Sequence, residues 1–374
     1  MLCAVSWRTG DIDVVETWFD ELRDLCTAAG DTTSLAIGMT GLVMAMSFND
    51  NITDAALLAT ECAALLEKTG DPSLIVGGMV GVMQAKNQAG EVVETLRLAR
   101  RVIALADGDS SAGDFVVASP LSIAHIYCGS AQLALGMPGF RKHYDAALGL
   151  SRSVDPANYA TATMFKYCTI ALGVYLSDDT ALRDTANALE TAEQAGEPIA
   201  IAAALMARGL TLVYRDGPDS EAGYVLLDEV RAMALDHQFS LVCVPIVDIH
   251  TARRKAQHAA FDDAVGLARA ALDNLTTSGE MIWRGLASST LVESLLGRGA
   301  DGDVTEARSV IERLAATPTD PGFVLHELPL LRMRALLARV QGEHDSYRDY
   351  RDRYRKMATN LGFQGHMKWA EAML

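Results

Sequence analysis

At 374 residues the chain exceeds the size at which one hydrophobic core keeps growing, so it must either divide or repeat. Half of its residues are hydrophobic but only 6% are aromatic, and 30 Gly with 10 Pro are too few for a disordered or collagen-like chain. A formal charge of −16, from 48 acidic and 32 basic residues, repels phosphate backbones and removes nucleic acid from the expected partners.

Ala, Leu and Met supply the apolar mass, and these residues favour helices over strands. The N-terminal MLCAVSWRTGD meets a charge within eight residues and carries no signal-peptide core. Met1 to Arg8 reads as the last turns of a helix whose start is missing. The N-terminal repeat is therefore expected to be incomplete, to belong to the tail of something larger, and to favour self-association.

From residue 11 onward the spacing predicts an amphipathic helix, DIDVVETWFDELRDLCTAAG, with Val15, Trp18, Phe19, Leu22 and Cys26 on one face. TAAGD at 27–31 ends it. The same x-x-x-Gly-acid turn returns as EKTGD at 67–71, LADGD at 105–109, EQAGE at 193–197 and TTSGE at 276–280. Degraded versions, SVDP at 153–156 and LDHQ at 235–238, fill the gaps and set a period of about 41 residues. Glycine supplies the left-handed residue that closes one helix, and the acid that follows favours the start of the next. Proline at 72, 156 and 198 suits the first helical position.

A second class of turn alternates with the first, at residues 9–11, Gly90-Glu91, Gly136 to Gly139, Gly217 to Asp219, Gly302-Asp303 and Gly342-Glu343. Each unit is thus a helix pair with an amphipathic first member. The second member is more apolar and rich in small residues, as in SLAIGMTGLVMAM, PSLIVGGMVGVMQA and PIAIAAALMARGLTLVY. Gly77, Gly78, Gly81, Ala203 and Ala207 would let such a helix sit close between neighbours on both sides. The expected fold is all-α: a right-handed, TPR-like α-solenoid of about nine helix-hairpin repeats, forming one continuous domain over residues 1–374.

Residues 115–140 contain no Asp, Glu, Lys or Arg, a length that could span a bilayer. Pro120, Ser119, Ser122, His125, Gln132 and three glycines argue instead for a helix buried by its neighbours. No membrane association is expected. The six cysteines, Cys3, Cys26, Cys62, Cys128, Cys168 and Cys243, form no CxxC and sit in apolar stretches, as buried thiols in a reducing cytoplasm would.

No metal, cofactor or catalytic constellation emerges. The eight histidines form no HExxH or Cys/His cluster; His250 and His258 stand eight apart, but metal binding there is the weaker reading. His125 is expected to be a hydrogen-bonded core residue. Asp178-Asp179 and Asp262-Asp263 fall where helices begin and read as dipole partners, not as catalytic acids. In DSYRDYRDRYRKM (345–357), Tyr347, Tyr350 and Tyr354 make one helical stripe beside Arg348, Arg351 and Arg355. The interleaved Asp345, Asp349 and Asp352 cancel most of that charge, so the tyrosines are expected to pack inward beneath a solvated ionic face.

Four stretches, TTSLAIGMTGLVM (32–44), RVIALADGD (101–109), GDVTEARSVIERLAA (302–316) and YRDRYRKMATNLGFQGHMKWAEAML (350–374), carry a family likeness that runs over the whole chain. It resembles the C-terminal TPR-like region of actinobacterial multidomain regulators that join a class III adenylate/guanylate cyclase domain to a P-loop ATPase domain. The resemblance implies a non-catalytic interaction and regulatory module, with a cyclase or ATPase module or another signalling protein as its partner. The alternative is a small-ligand sensor with an apolar pocket inside the superhelix.

Catalysis of the family's kind is not expected here. A P-loop needs Gly directly before its Lys, and the seven lysines follow Glu67, Ala85, Arg141, Phe165, Arg254, Arg355 and Met367. Purified protein should therefore neither hydrolyse nor cyclise ATP or GTP with magnesium or manganese present. Turnover that survives repurification would overturn that expectation.

Overall fold

The computed structural model describes residues 12–152, 154–215 and 217–373. Eighteen helices and no strand occur among the described residues. They form nine consecutive pairs: α1 (Ile12–Ala29) with α2 (Thr32–Phe48), α3 (Ile52–Thr69) with α4 (Pro72–Gln88), and α5 (Val92–Ala106) with α6 (Pro120–Ala134). Next come α7 (Phe140–Ser151) with α8 (Pro156–Cys168), α9 (Asp179–Ala195) with α10 (Pro198–Val213), and α11 (Pro218–Leu235) with α12 (Cys243–Gln257). The last three are α13 (Phe261–Ser278) with α14 (Arg284–Arg298), α15 (Asp303–Ala316) with α16 (Val324–Val340), and α17 (His344–Leu361) with α18 (Gln364–Glu371). Each helix packs on the next, and the even-numbered helices also stack on one another from α2 through α10 and from α12 through α16, as in an α-solenoid.

The turn chemistry is the one expected. Gly70, Gly196 and Gly279 are left-handed at the ends of α3, α9 and α13. Asp71 then caps α4 by accepting from the Ser73 and Leu74 amides, and Asp31 and Asp155 cap α2 and α8 in the same way. Asp178 caps α9 through the Ala181 amide, and Asp262 and Asp263 lie in the first turn of α13, as read.

Helix position follows composition. In α1 only Val15, Phe19 and Cys26 are fully buried, whereas α4 is buried from Ile75 through Asn87. Close approach explains the small residues: a Cβ on Gly78 would stand 2.5 Å from Leu66 Cδ2, and one on Gly81 2.8 Å from Met44 Cγ. The charge-free stretch holds α6, buried along nearly its whole length, and no described helix is long and apolar enough to cross a membrane. Cys26, Cys62, Cys128, Cys168 and Cys243 are buried. Tyr354 is fully buried, Tyr347 donates to the Met373 carbonyl, and Arg348 and Arg353 pair with Asp345 and Asp349 on the outer face.

Two details differ from expectation. Trp18 does not join the buried face of α1 and stays 37% exposed. It follows Val15 by three positions but lies far enough round the helix to reach the edge of the stripe. LADGD does not open a helix at once either. α5 stops at Ala106, the chain runs as turns to Ser119, and the Ser119 hydroxyl caps α6. That segment lies across α4, where a Cβ on Gly77 would collide with the Gly113 carbonyl and the Phe115 ring. The expectation of an incomplete repeat at Met1 to Arg8 falls outside the described residues, as does Cys3.

A further feature organises the whole molecule. The superhelix comes round on itself after five pairs. The Leu241 amide, just before α12, donates to the Phe48 carbonyl at the end of α2, and Met281, before α14, donates to Gln88 at the end of α4, both at 2.8 Å. α16 contacts α6, and in the first turn of α18 Gln364 and His366 donate to Val174 and Gly173 at 3.1 and 3.0 Å. The first four pairs are thereby sewn to the last four along one backbone seam.

Candidate ligand cavities

The inward faces of the even helices, together with the seam, enclose a central cavity of about 210 Å³. Val80 of α4, Ile123 and Tyr127 of α6, Phe165 of α8, Met206 of α10 and Ile246 of α12 supply much of its wall. Tyr127 and Phe165 meet edge to face at 5.5 Å, and Phe48 meets Phe239 at 6.4 Å where the seam forms. The half-buried Ala157, Thr161 and Ile199, with exposed Glu197, mark its outer margin at the starts of α8 and α10.

Polar groups gather at the seam end of this cavity. Glu280 is 1% exposed and accepts from the amides of Ile282 (3.0 Å) and Trp283 (2.9 Å). Burial pushes its carboxyl up to about 8, against the pull of those amides and of Arg284, and nearby Asp50 is raised by burial too. Asn87 Oδ1 and Gln88 Oε1 are buried without a hydrogen-bond partner. A mostly apolar chamber with a few convergent polar groups is the ordinary form of a small-molecule site.

A second cavity of about 150 Å³ adjoins the first, and Leu172 and Leu325 line both. Four helices build it: α12 brings Arg253, α14 Glu293, α16 Arg332, and α18 His366 and Trp369. Arg332 grips the Glu293 carboxylate with both terminal nitrogens, one at 3.1 Å. Burial opposes the charge on Glu293, but Arg332, with Arg253 behind it, holds the carboxyl below its ordinary value. Arg253 donates to the Tyr214 hydroxyl and lies over the Tyr214 ring at 5.1 Å. His366 shares a 2.8 Å hydrogen bond with the Tyr354 hydroxyl, and burial, with Arg332 nearby, lowers it to about 3, which leaves it neutral.

A third hollow, beside Lys86, holds charges that are already paired: Lys86 reaches Glu91 and Thr60 at 2.8 Å, and Arg97 pairs with Glu94.

His250 and His258 do not come together. His250 is buried and bonded to the Ile246 carbonyl, while His258 is exposed at the end of α12. His125 is a half-buried, hydrogen-bonded residue, and its partner is His143 at 2.9 Å, a pairing with no signature in sequence. No cluster of three His, Cys, Asp or Glu side chains able to hold a metal occurs among the described residues. Sequence reasoning missed Arg253, Glu293, Arg332 and Trp369, which lie on four helices in four different pairs and become neighbours only through the superhelix. A scan against protein-family models and a search of curated proteins found no match to the chain.

Proposed function

We propose that the chain is a regulatory helical-repeat module that holds a small, largely apolar ligand in the central cavity. We further propose that it passes that occupancy to a signalling partner, of the kind represented by the cyclase and ATPase domains of the regulators it resembles. The observation carrying the first part is the seam. A solenoid that only docked proteins would keep its concave face open along its length. In this chain the even helices of successive turns meet instead, and the concave face becomes the wall of a chamber. A ligand inside touches helices from both turns and so biases how they sit together, which is how occupancy becomes a signal.

A neutral apolar dye such as Nile red tests this. The intact protein should take it up saturably, and its melting transition should rise. At a hundredfold excess over Kd the added stability is about 2.7 kcal/mol. Thr161→Trp, which places a large ring at the chamber margin, should abolish uptake while the variant keeps its helical spectrum. Equal uptake by Thr161→Trp, or none by the unaltered protein, would remove the central cavity from consideration.

A further inference from the structure

We infer that the second cavity is the head-group subsite of the same ligand, and that the ligand is a carboxylic acid whose carboxylate pairs with Arg253 while its apolar body lies in the central cavity. This rests on the reading of the central cavity as a ligand site and adds the chemical class of what fills it.

Charge is the first ground. Three charged side chains line the second cavity, Arg253, Arg332 and Glu293, and Glu293 is engaged by Arg332. No carboxylate among the described residues lies within 4.0 Å of Arg253, whose partners are the Tyr214 hydroxyl and the Tyr214 and Trp369 rings. His366 is neutral and cannot alter the count. One positive charge is therefore left over in a partly enclosed space, inside a molecule whose overall charge is −16. Arg253 is half-buried, and a counter-charge entering the cavity meets a guanidinium with no carboxylate partner of its own. A single negative charge balances it. A dianionic phosphate would leave an excess beside Glu293, so the monoanion is favoured.

Adjacency is the second ground. Leu172 and Leu325 face both cavities, so the apolar chamber and the cationic end meet across two side chains. A ligand with one acidic end and an apolar remainder satisfies both chambers at once. A neutral apolar molecule would leave Arg253 uncompensated. A guanidinium presents its N–H donors in a fixed fork that suits a carboxylate, and Tyr214 and Trp369 hold it in place from the faces of their rings.

The experiment measures displacement of Nile red from the full chain by decanoate, methyl decanoate and decanol. Decanoate should bind at least about tenfold more tightly than its ester or the alcohol. Arg253→Gln should bring decanoate down to the level of the ester while leaving the ester unchanged. Arg253→Lys should keep part of the preference, and Arg254→Gln, on the exposed Glu221 pair, should keep all of it. Equal affinity for acid and ester in the unaltered protein would overturn the head-group assignment, whatever the variants do, yet leave the apolar chamber standing. If the dye itself does not bind, the proposed function fails as well, so the two failures are separate.

Discussion

Acidification from about pH 6.5 toward about pH 4 is expected to unfold the chain through three histidines of its second superhelical turn. His250, His326 and His366 are only 2%, 3% and 6% exposed. Burial lowers them to about 3, 4 and 3, helped by Arg253 beside His250, Arg284 near His326 and Arg332 beside His366. In the unfolded chain each takes up a proton near 6.5, while in the folded chain it stays neutral. Their contribution is therefore complete above about pH 6.5 and is lost as pH falls through the folded values. At about 1.4 kcal/mol per unit, each withdraws on the order of 3–5 kcal/mol over that range.

Glu280 works in the other direction. Its carboxyl is raised to about 8, so its contribution is complete below 4.5 and is lost as pH rises toward 8. Acidification therefore regains part of what the histidines withdraw over the same pH range, but one glutamate does not offset three histidines. Urea midpoints at about pH 7 and pH 5 would check this, with far-ultraviolet circular dichroism as the probe. Equal midpoints would mean that the histidines are solvated, or are protonated in the folded state.

Gly173→Val should release the last helix pair. Gly173 is left-handed at φ 68, and its carbonyl accepts from the His366 amide across the seam. A Cβ there would lie 2.6 Å from His366 Cδ2 and 2.8 Å from Trp369 Cζ3. The left-handed conformation costs an ordinary residue about 1–2 kcal/mol, and crowding a packed contact adds about 1–3 kcal/mol. Hydrogen exchange should show the amides of Gln364 and His366 losing protection while α4 keeps its own. Gly149→Ala is the matched control, since Gly149 lies within α7 with no neighbouring atom in the way, and it should be neutral or gain up to about 1 kcal/mol. Unchanged protection at Gln364 and His366 in Gly173→Val would mean that the seam does not hold that end.

The repeat was legible in the sequence because its signals are local. Glycine at a helix end and an acid at the next start act within a few residues, so Gly70-Asp71 and Gly196-Glu197 could be placed without knowing what packs nearby. The contrast between DIDVVETWFDELRDLC and PSLIVGGMVGVMQA separated peripheral from enclosed helices for the same reason. The segment 107–119 misled because Gly108-Asp109 carries the turn signal, while SSAGDFVVAS after it lacks a helical apolar period. The seam was not legible at all. Its bonds are backbone to backbone, as from Met281 to Gln88, and Gly90 and Gly136 there look like any turn glycines. The Arg253 cluster stayed hidden because Arg253, Glu293, Arg332 and Trp369 have no periodic relation to one another, and each alone resembles a surface or core residue.

The seam also bears on the order in which the chain acquires its structure. Contacts within and between adjacent helix pairs close short loops, so a simple array nucleates anywhere and spreads. A seam bond such as Leu241 to Phe48 closes a loop of roughly 190 residues, whose entropic cost must be met before any second-turn contact is gained. Once one such bond exists, the others lie at hand and add little further loop cost. The nine pairs should then lock together late and nearly at once, like the teeth of a zip drawn from a single starting point.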